Sequence, residues 1–563
     1  MAAHLDFGRS ALRSRLCFDD IEACGAREAF NLRIGPSAGH RRITYADLRS
    51  DVLSIAAGFV DAGALPGERV ALLRPHSYEL VVGFFAALFA GLVPSVIAWP
   101  TAKMDAEKYQ RNLRAVLGGL AAHWLITDAA TAEKLGRSVG ATRVLHAVPR
   151  GVGAIEPRVA SAEAPAMFVQ FSGGTTGAQK SVPISAGHLS AQLHSYASVL
   201  DLRDSDRVIS WLPLYHDMGL VACLLLPFFA RIPLTMFSPM EWVMDPRPFI
   251  KAVGEDRATH CWLPNFAFAF MAKRAAVPAE SLDLSSLRAV VNCSEPIRAE
   301  SMDLFRARFA ANGLRDDALQ ACYAMAEATF AVSQSTPADP LRRVMVSVPA
   351  LGEGRLVPAD SGHRVLVSSG RPIPGVEVRI SDESGNEQAP DRLGEIWLRG
   401  PAIMDDYLRP TGTEPVRAAF SGDWYRSGDL GFIRDGHVFV AGRKKDVIIV
   451  GGVNVYPEDV EAAACEVPGI HAGRAVAMGL YNEEQGTESM VLIAEVEDEQ
   501  TLANSRALET HVRAAVVAMV GAAPSRVFLV PPKWIVKSTA GKISRSETRV
   551  RVLERWAELT GRP

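Results

Sequence analysis

The sequence predicts an α/β protein with a large N-terminal domain and a small α+β C-terminal domain. Its 563 residues are too many for one hydrophobic core, so at least two domains are expected. From residue 43 to residue 330, short apolar strands alternate with amphipathic helices, which is typical of parallel strands covered by helix layers. Between residues 365 and 440 the pattern changes to β, and this stretch is expected to add a small β-barrel-like part to the N-terminal domain.

Individual strands follow from short apolar runs with turn residues around them. In the first region these runs are Arg69–Leu73, Trp124–Thr127, Met167–Phe171, Val208–Trp211, Leu234–Phe237 and Ala289–Asn292. In the β region, residues 376–380 and 394–400 are two further strands. The Asp435-Gly436 dipeptide predicts a tight hairpin, because both residues tolerate the positive φ that such a turn requires.

Composition argues against several classes of protein. The formal net charge is −3, so no basic surface indicates nucleic-acid binding. Hydrophobic residues make up 48% and charged residues 22% of the chain, as in an ordinary soluble protein. The seven cysteines form no CxxC pair, which favours a reducing compartment without structural zinc. Residues 1–16 lack a continuous apolar run, so no signal peptide is evident and a cytoplasmic location is expected.

One apolar segment, residues 80–100, is long enough on paper to cross a membrane. Gly91 and Pro94 interrupt it, and both residues favour a break between a helix of about a dozen residues and a short strand. We therefore expect a buried helix–strand unit here and no membrane span.

Residues 168–185 carry the most informative local pattern. A buried strand leads into a polar, glycine-rich loop that ends in a lysine, and the start of a helix is expected after it. Glycines let backbone N–H groups turn toward an anion, so the loop suits a polyphosphate. The residues that would contribute are Ser172, Gly173, Gly174, Thr175, Thr176, Gly177 and Lys180. The loop is not a P-loop, because Gln179 rather than glycine precedes the lysine, and a flexible surface loop is the alternative interpretation.

Five further motifs follow this loop along the chain. They are WLPLYHDMGL at 211–220, CYAMAEAT at 322–329, WYRSGDLG at 424–431, GRKKDVI at 442–448 and AGKISR at 540–545. Their order resembles that of the acyl-adenylate-forming superfamily, and the chain is most similar to fatty acyl-AMP ligases. The resemblance implies a large N-terminal domain, residues 1–442, and a small mobile C-terminal domain, residues 443–563, that hinges at Lys445.

The resemblance implies that ATP and a carboxylic acid, most simply a fatty acid, react to acyl-AMP and pyrophosphate. The carboxylate is already a nucleophile, so the obstacle is the approach of two anions, which cations and oriented donors relieve. By resemblance the glycine-rich loop holds the departing phosphates and Glu327 binds Mg²⁺. Lys542 matches the catalytic lysine of the mobile domain, which would bridge the substrate carboxylate and the α-phosphate.

The resemblance also implies the residues that bind the nucleoside. Tyr323 matches the aromatic residue that stacks on adenine, Asp429 the carboxylate that binds the ribose hydroxyls, and Arg443 the arginine that reaches the same sugar. The neighbouring contacts are expected from Ala324, Met325, Ser294, Glu295 and Pro296. Ala324 stands where the commoner spelling has glycine. For residues 292–296, a plain turn at a strand end is the alternative interpretation.

Apolar and aromatic stretches that resemble those of fatty acyl-AMP ligases predict a pocket for an alkyl chain. His216 is expected at the mouth of the pocket and is counted with the catalytic residues. The expected lining is His216, Met218, Gly219, Asn265, Phe266 and Ala267. Ordinary core packing is the alternative interpretation of the aromatic residues.

The acceptor of the acyl group is open at this stage. Forty residues, 330–369, precede the GRPIPG turn at 370–375, and such an insertion resembles fatty acyl-AMP ligases, which implies transfer to an acyl carrier protein. The segment GGVNVYPEDVE at 451–461 is instead similar to coenzyme A ligases, so an acyl-CoA or aryl-CoA ligase is the alternative. A non-catalytic relative that binds nucleotide or acyl-AMP is a further alternative, against which the intact motif residues argue.

Overall fold

Two sheets with parallel strands organise the N-terminal part of the chain. The computed structural model describes residues 6–34, 40–100, 106–135, 142–152, 155–158, 166–172, 180–275, 282–360, 363–408, 419–450, 453–482, 487–537 and 543–560. The larger sheet consists, in spatial order, of Arg371–Pro372, Ala331–Gln334, Leu319–Ala324, Ala289–Asn292, His260–Leu263, Val208–Ser210, Leu234–Phe237, Glu28–Arg33 and Arg41–Thr44. Its six central strands run parallel, and the strands at both edges are antiparallel to their neighbours.

The smaller sheet is parallel throughout. Its strands are, in spatial order, Val93–Val96, Arg69–Leu72, Trp124–Ile126 and Arg143–Leu145. The strand Phe168–Phe171 packs near it and pairs antiparallel with Ser181–Ile184. The predicted strands and the predicted α/β class are confirmed.

The expectation of a helix directly after Lys180 is wrong. Residues 181–184 form a strand first, because Val182 and Ile184 are fully buried and the segment pairs with Phe168–Phe171. The helix begins only at Ala186, where the Ser185 side chain accepts a hydrogen bond from His188 N at 3.1 Å and caps the first turn.

The apolar segment 80–100 contains most of the helix Tyr78–Phe89 and all of the strand Val93–Val96. Gly91 turns the chain between them with a φ of 78°. This confirms the predicted helix–strand unit. Over the described ranges, none of the helices combines the length and the apolar character that a membrane crossing would need.

The helices of the described residues, including short 3₁₀ and π segments, connect the strands and pack on the sheets of both the N-terminal and the C-terminal parts. They are Arg9–Leu16, Ile21–Cys24, Tyr45–Asp61, Tyr78–Phe89, Ala106–Leu120, Ala129–Leu135, Ala186–Val199, the π-helix Met218–Leu225, Leu226–Ala230, Pro239–Met244, Arg247–Glu255, Asn265–Arg274, Ala299–Phe309, Ala310–Asn312, Asp316–Ala318, Ala326–Ala328, Val348–Gly352, Lys444–Asp446, Pro457–Cys465, Glu499–Asn504, Ser505–Val520, Arg545–Glu554 and Trp556–Thr560.

The β region forms a five-stranded antiparallel sheet. Its strands are Glu377–Ser381, Gly394–Arg399, Phe420–Ser421, Trp424–Arg434 and His437–Arg443. Asp435 and Gly436 turn the last hairpin with φ values of 52° and 79°, as the dipeptide predicts.

The C-terminal part is an α+β unit built on three long strands. These are Ile470–Asn482, Thr487–Val496 and Arg526–Val530, preceded by the hairpin Ile448–Val450 and Val453–Val455. Alternate residues of the long strands face opposite sides. One side packs on the helices Pro457–Cys465 and Ser505–Val520, and the other packs on Arg545–Glu554. The boundary between domains 1–442 and 443–563 stays a prediction.

The insertion predicted from the sequence contacts this C-terminal unit. The strands Arg343–Ser347 and His363–Val367 pair antiparallel, and the helix Val348–Gly352 follows the first of them. Val348 belongs to the same buried cluster as Ile448 and Val455. Arg364 Nε lies 3.3 Å from Asp459 Oδ1, with both side chains largely buried, so an ion pair joins the insertion to the C-terminal unit.

This ion pair makes a pH prediction possible. Burial raises the pKa of Asp459 to about 6, although Arg364 lowers it, so the folded protein holds this proton more tightly than the unfolded chain. The contribution of Asp459 to stability therefore falls as the pH rises from the unfolded pKa to about 6. Relative to Asp459→Asn, the wild type should lose about 2 kcal/mol of unfolding free energy between about pH 4.5 and about pH 7.

Denaturant unfolding at both pH values would measure this change. Asp316→Asn is the control, because the side chain of Asp316 is 78% exposed. This variant should lose as much unfolding free energy between the two pH values as the wild type does. An equal pH response of wild type and Asp459→Asn would contradict the prediction.

Candidate active site

Four of the predicted segments, 211–220, 264–270, 292–296 and 322–329, lie at one edge of the large sheet. Each of these segments follows, or begins within, the end of one of four neighbouring parallel strands. The strands are Leu319–Ala324, Ala289–Asn292, His260–Leu263 and Val208–Ser210. The carboxyl ends of parallel strands lie at the same edge, and open α/β sheets bind ligands there. The topology thus brings together segments that are distant in sequence.

An ionic and aromatic contact around the buried Asp429 lies at this edge. Tyr323 Oη donates to Asp429 Oδ2 at 2.5 Å, and Arg443 Nε lies 2.6 Å from Asp429 Oδ1. Burial raises the pKa of the Asp429 carboxyl, while Arg443 acts in the opposite direction. The carboxylate in turn raises the pKa of the Arg443 guanidinium, although the Arg443 side chain is still 46% exposed.

A second contact surrounds Glu327, which lies in the 3₁₀ turn Ala326–Ala328 and is largely buried. Tyr407 Oη donates to Glu327 Oε1 at 2.8 Å and lies 3.1 Å from Tyr425 Oη. Lys180 Nζ stands 4.4 Å from the centre of the Tyr407 ring. Burial and the neighbouring carboxylate both raise the pKa of Tyr407, so its hydroxyl remains a donor.

Only the two ends of the glycine-rich loop fall within the described part of the chain. Ser172 N donates to Lys180 O at 3.0 Å, and Lys180 N donates to Ser172 Oγ at 3.4 Å, so these ends lie side by side. The predicted residues Gly173, Gly174, Thr175, Thr176 and Gly177 lie outside the described residues.

The loop after the strand Ala289–Asn292 contacts the predicted acyl-pocket residues. Ser294 has a φ of 69°, and its Oγ lies 3.7 Å from Met218 Sδ. Glu295 Oε2 accepts a hydrogen bond from Phe266 N at 3.0 Å. Pro296 is exposed, so it presents no buried surface to this contact.

The other predicted acyl-pocket residues fix the backbone around it. Asn265 Oδ1 accepts from Asn292 Nδ2 and from Arg298 N, both at 3.0 Å. Gly219 packs so closely on the preceding loop that a Cβ there would lie 2.2 Å from Pro213 O. The remaining ones are the fully buried Ala267, which points into the core, and the half-buried His216, whose ring lies beside Tyr215.

Of the backbone positions predicted near the nucleoside, Ala324 is half-buried and Met325 is buried. Met325 N donates to Phe330 O at 2.8 Å, which holds the turn that carries Glu327.

Lys542 lies outside the described residues, but its neighbourhood is informative. Lys537 and Ile543, on either side of it, form an isolated antiparallel bridge. Arg545 donates to Asp446 Oδ2 and to Glu461 Oε1, both at 2.8 Å. Arg545 is therefore tied to Asp446, the residue that follows the predicted hinge Lys445. Burial lowers the pKa of Lys445.

Two residues that sequence reasoning did not single out belong to this site. Tyr407 lies outside every motif, and Gln170 Nε2, buried in the strand before the glycine-rich loop, donates to Thr329 O at 3.0 Å. The aromatic residue Tyr407 in a polar stretch offers only a weak signal, because its partner Glu327 is 80 residues away.

The described residues contain no group of three or more side chains of the kind that usually holds a metal by itself. Glu327 nevertheless supplies one buried carboxylate. Mg²⁺ is typically held by one or two carboxylates together with substrate phosphates and water, so a single protein ligand fits a metal that arrives with a nucleotide.

Comparisons with known proteins show the family to which the chain belongs. Residues 20–408 match the AMP-binding enzyme family. The medium-chain-fatty-acid–[acyl-carrier-protein] ligase JamA of Moorena producens (strain JHB) is 30% identical over 511 residues, covering 86% of this chain and 86% of that protein.

Solved structures show the same likeness. A chain from a study of fatty acyl-adenylate ligases from E. coli and L. pneumophila has a TM-score of 0.85 and 26% identity, covering 97% of this chain and 98% of its own. The fatty acyl-adenylate ligase from L. pneumophila in complex with acyl adenylate and pyrophosphate has a TM-score of 0.70 and 27% identity, covering 96% of each chain. The predicted fold and the predicted likeness to fatty acyl-AMP ligases are confirmed.

The contact at Glu327 generates a prediction. We expect Tyr407→Phe to lower kcat/KM for adenylate formation by about 10- to 100-fold, because a hydrogen bond to a charged group is lost. Tyr407→Leu should lower it by about a further twofold to fivefold, because Lys180 also loses the aromatic face.

The rate of pyrophosphate release that depends on added fatty acid measures both effects. Tyr78→Phe, which removes a hydroxyl that donates to Asp51 Oδ2 at 3.1 Å beside the far edge strand Arg41–Thr44, is the control. Equal kcat/KM values for wild type and Tyr407→Phe would show that the hydroxyl does not support the reaction.

Proposed function

Because this chain belongs to the AMP-binding enzyme family, we propose that it activates a fatty acid as acyl-AMP and passes the acyl group to an acyl carrier protein. ATP would supply the adenylate and Mg²⁺ would accompany its phosphates. The observation that carries the proposal is the convergence of the Glu327 and Asp429 contacts at the carboxyl edge of the sheet. The likeness to fatty acyl-adenylate ligases supports the acid class.

In the first step, a carboxylate oxygen of the fatty acid bonds to the α-phosphorus of ATP. The bond from that phosphorus to the bridging oxygen breaks, and pyrophosphate leaves with the electron pair. No proton needs to be removed from the nucleophile, so the protein has to stabilise negative charge rather than supply a base. Lys180 and the glycine-rich loop would receive the departing phosphates, and Lys542 would lie between the carboxylate and the α-phosphate.

The nucleoside would lie between the loop at residues 294–296 and the segment that begins at Tyr323. Tyr323 would stack on the adenine, and residues 294–296 would lie beside it. Asp429 has both oxygens engaged by Tyr323 and Arg443, yet a carboxylate can accept several hydrogen bonds, so ribose hydroxyls can add to this contact. Glu327 would be the protein ligand of Mg²⁺, oriented by Tyr407.

In the second step, a thiolate attacks the acyl carbon and AMP leaves with the electrons of the mixed anhydride bond. The insertion supports a carrier protein as the acceptor, because Val348 and Arg364 attach it to the C-terminal unit. A unit held in this way would be hindered from the domain position that free coenzyme A requires, whereas the phosphopantetheine thiol of the carrier is expected to attack after the small domain rotates about Lys445.

The second candidate is an acyl-CoA or aryl-CoA ligase. The sequence at 451–461 favours it, because its spelling is similar to coenzyme A ligases. A non-catalytic relative is less well supported, since Glu327, Asp429 and Arg443 form connected contacts that a drifting site would lose.

Lys542 provides the test of the first step. We expect Lys542→Ala to lower the rate of acyl-AMP formation on the order of 10²-fold or more, because a cation at the transition state is lost. Transfer of the acyl group from supplied acyl-AMP to a phosphopantetheinylated carrier protein should persist. Mass spectrometry of the acyl-AMP and of the loaded carrier measures the two steps separately.

Lys533→Ala is the matched control, because Lys533 is an exposed lysine of the same unit. Wild-type adenylation by a folded Lys542→Ala variant would overturn the assignment of this lysine.

The acceptor is tested by loosening the insertion. We expect Arg364→Ala to increase the ratio of acyl-CoA to acyl-carrier product, because one of its contacts with the C-terminal unit is removed. Arg355→Ala is the control, since Arg355 lies in the same insertion and pairs with Glu353 at the surface. Efficient acyl-CoA formation by the wild type would instead favour the second candidate.

A further inference from the structure

The backbone is strained two residues after Glu327. Thr329 has a φ of 63° and a ψ of −46°, a conformation that β-branched residues rarely adopt. Phe330 N donates to Ala328 O at 2.7 Å, so the chain reverses over a single residue. This combination is the rare form of γ-turn, which is energetically unfavourable by itself. The surrounding structure must therefore hold it in place.

Hydrogen bonds from buried side chains hold this γ-turn. Gln170 Nε2 donates to Thr329 O at 3.0 Å, and Thr329 Oγ1 donates to Ala402 O at 2.7 Å. Gln170 is 4% exposed and Thr329 is fully buried, so water does not compete for either contact. Gln192, also fully buried, donates to Ala328 O at 2.9 Å when its amide nitrogen faces that carbonyl. The γ-turn is thus bonded to a strand, to a helix and to the segment at residue 402.

The segment that accepts the Thr329 hydroxyl also contacts Glu327 itself. Met404 N donates to Glu327 O at 2.8 Å, and Tyr407 Oη donates to Glu327 Oε1 at 2.8 Å. Because Ala402 accepts from Thr329, residues 402–407 bond to the γ-turn, to the backbone of Glu327 and to its carboxylate. The position of the carboxylate therefore depends on the conformation of Thr329.

Gln170 joins the γ-turn to the glycine-rich loop. It lies in the strand Phe168–Phe171, and Ser172 follows directly as the first residue of the loop. One hydrogen bond therefore links the loop expected to hold the phosphates with the turn that follows Glu327. Among the described residues, Gln170 Oε1 has no hydrogen-bond partner although it is buried, which is unfavourable. The amide at this position is therefore better explained by the bond that it donates than by packing.

We propose that Gln170 and Thr329 are positioning residues that hold the Glu327 carboxylate in the orientation that binding of Mg²⁺ with the nucleotide requires. Both act through Glu327 rather than on the reacting atoms. This inference rests on the proposed function, because it assigns a purpose to the orientation of Glu327 in that reaction. Loss of either hydrogen bond should let Thr329 relax toward a common backbone conformation and turn the carboxylate away.

Nucleotide binding tests this role. The probe is the ATP analogue with a methylene group between the α- and β-phosphates, which binds without reacting. We expect Gln170→Met and Thr329→Val to raise its Kd in the presence of Mg²⁺ by about tenfold. Without Mg²⁺ the Kd should change by less than about twofold, because only the metal-dependent part of binding involves Glu327.

The rate of acyl-AMP formation gives a second readout. In both variants kcat/KM should fall by about 10- to 100-fold, because a displaced carboxylate no longer meets the bound nucleotide correctly. Thr329→Ser keeps the hydroxyl that donates to Ala402 O, so this conservative variant should restore both the Kd with Mg²⁺ and the rate.

A double-mutant cycle separates positioning from general stability. In a Glu327→Gln background, Gln170→Met should leave the Kd with Mg²⁺ unchanged, because the carboxylate through which Gln170 acts is already gone. Gln320→Met is the matched control. Gln320 is also 4% exposed, and its Nε2 donates to Arg288 O at 3.1 Å, at the amino end of the strand Leu319–Ala324. This control should lower stability without changing the Kd with Mg²⁺.

A Kd with Mg²⁺ that stays at the wild-type value in folded Gln170→Met would overturn the inference, and so would an equal loss in the Glu327→Gln background. A wild-type Kd that Mg²⁺ does not improve would overturn it as well. If the wild type forms no acyl-AMP from any fatty acid, the proposed function fails, but the Kd values still decide the role of Gln170. If Thr329→Val does not fold, Gln170→Met carries the same comparison.

Discussion

The buried carboxylate of Asp429 is the constraint on which the site depends. An unpaired charge at this depth would cost several kcal/mol, so Asp429 requires both the Arg443 guanidinium and the Tyr323 hydroxyl. Asp429 and Arg443 face each other in one hairpin of the β region, and Tyr323 comes from the large sheet. Satisfying one carboxylate therefore fixes the relative position of these two parts of the chain, and it places the residues around the predicted hinge beside the candidate site.

Much of the fold could be predicted because its signals are local. Short apolar runs identified the strands at 69–72 and 289–292, and the Asp435-Gly436 dipeptide identified a hairpin. The helix expected after Lys180 was wrong because Val182 and Ile184 pair with a preceding strand, and pairing is decided by the partner rather than by the segment itself.

Residues of the candidate site could be predicted only where they belong to a recognisable sequence motif. Glu327 and Asp429 stand inside recognisable motifs, whereas Tyr407 stands in none and is placed by a contact across 80 residues. The ion pair of Arg364 and Asp459 could not be predicted either, because no sequence pattern links these two distant residues. Long-range polar contacts depend on the assembled sheets, so composition and spacing alone do not reveal them.

The π-helix Met218–Leu225 has a consequence for how this chain tolerates change. A π turn holds one more residue than an α turn, so it can be viewed as an α-helix into which a single residue has been inserted. Losing that one residue would restore α geometry and leave the helix beyond it in the same orientation. Phe228, which stacks on Phe85 with ring centroids 4.1 Å apart, would then keep its place in the core. The segment can thus differ in length by one residue among relatives without disturbing the packing that follows it, and a gap of one residue within it in sequence alignments is compatible with the fold.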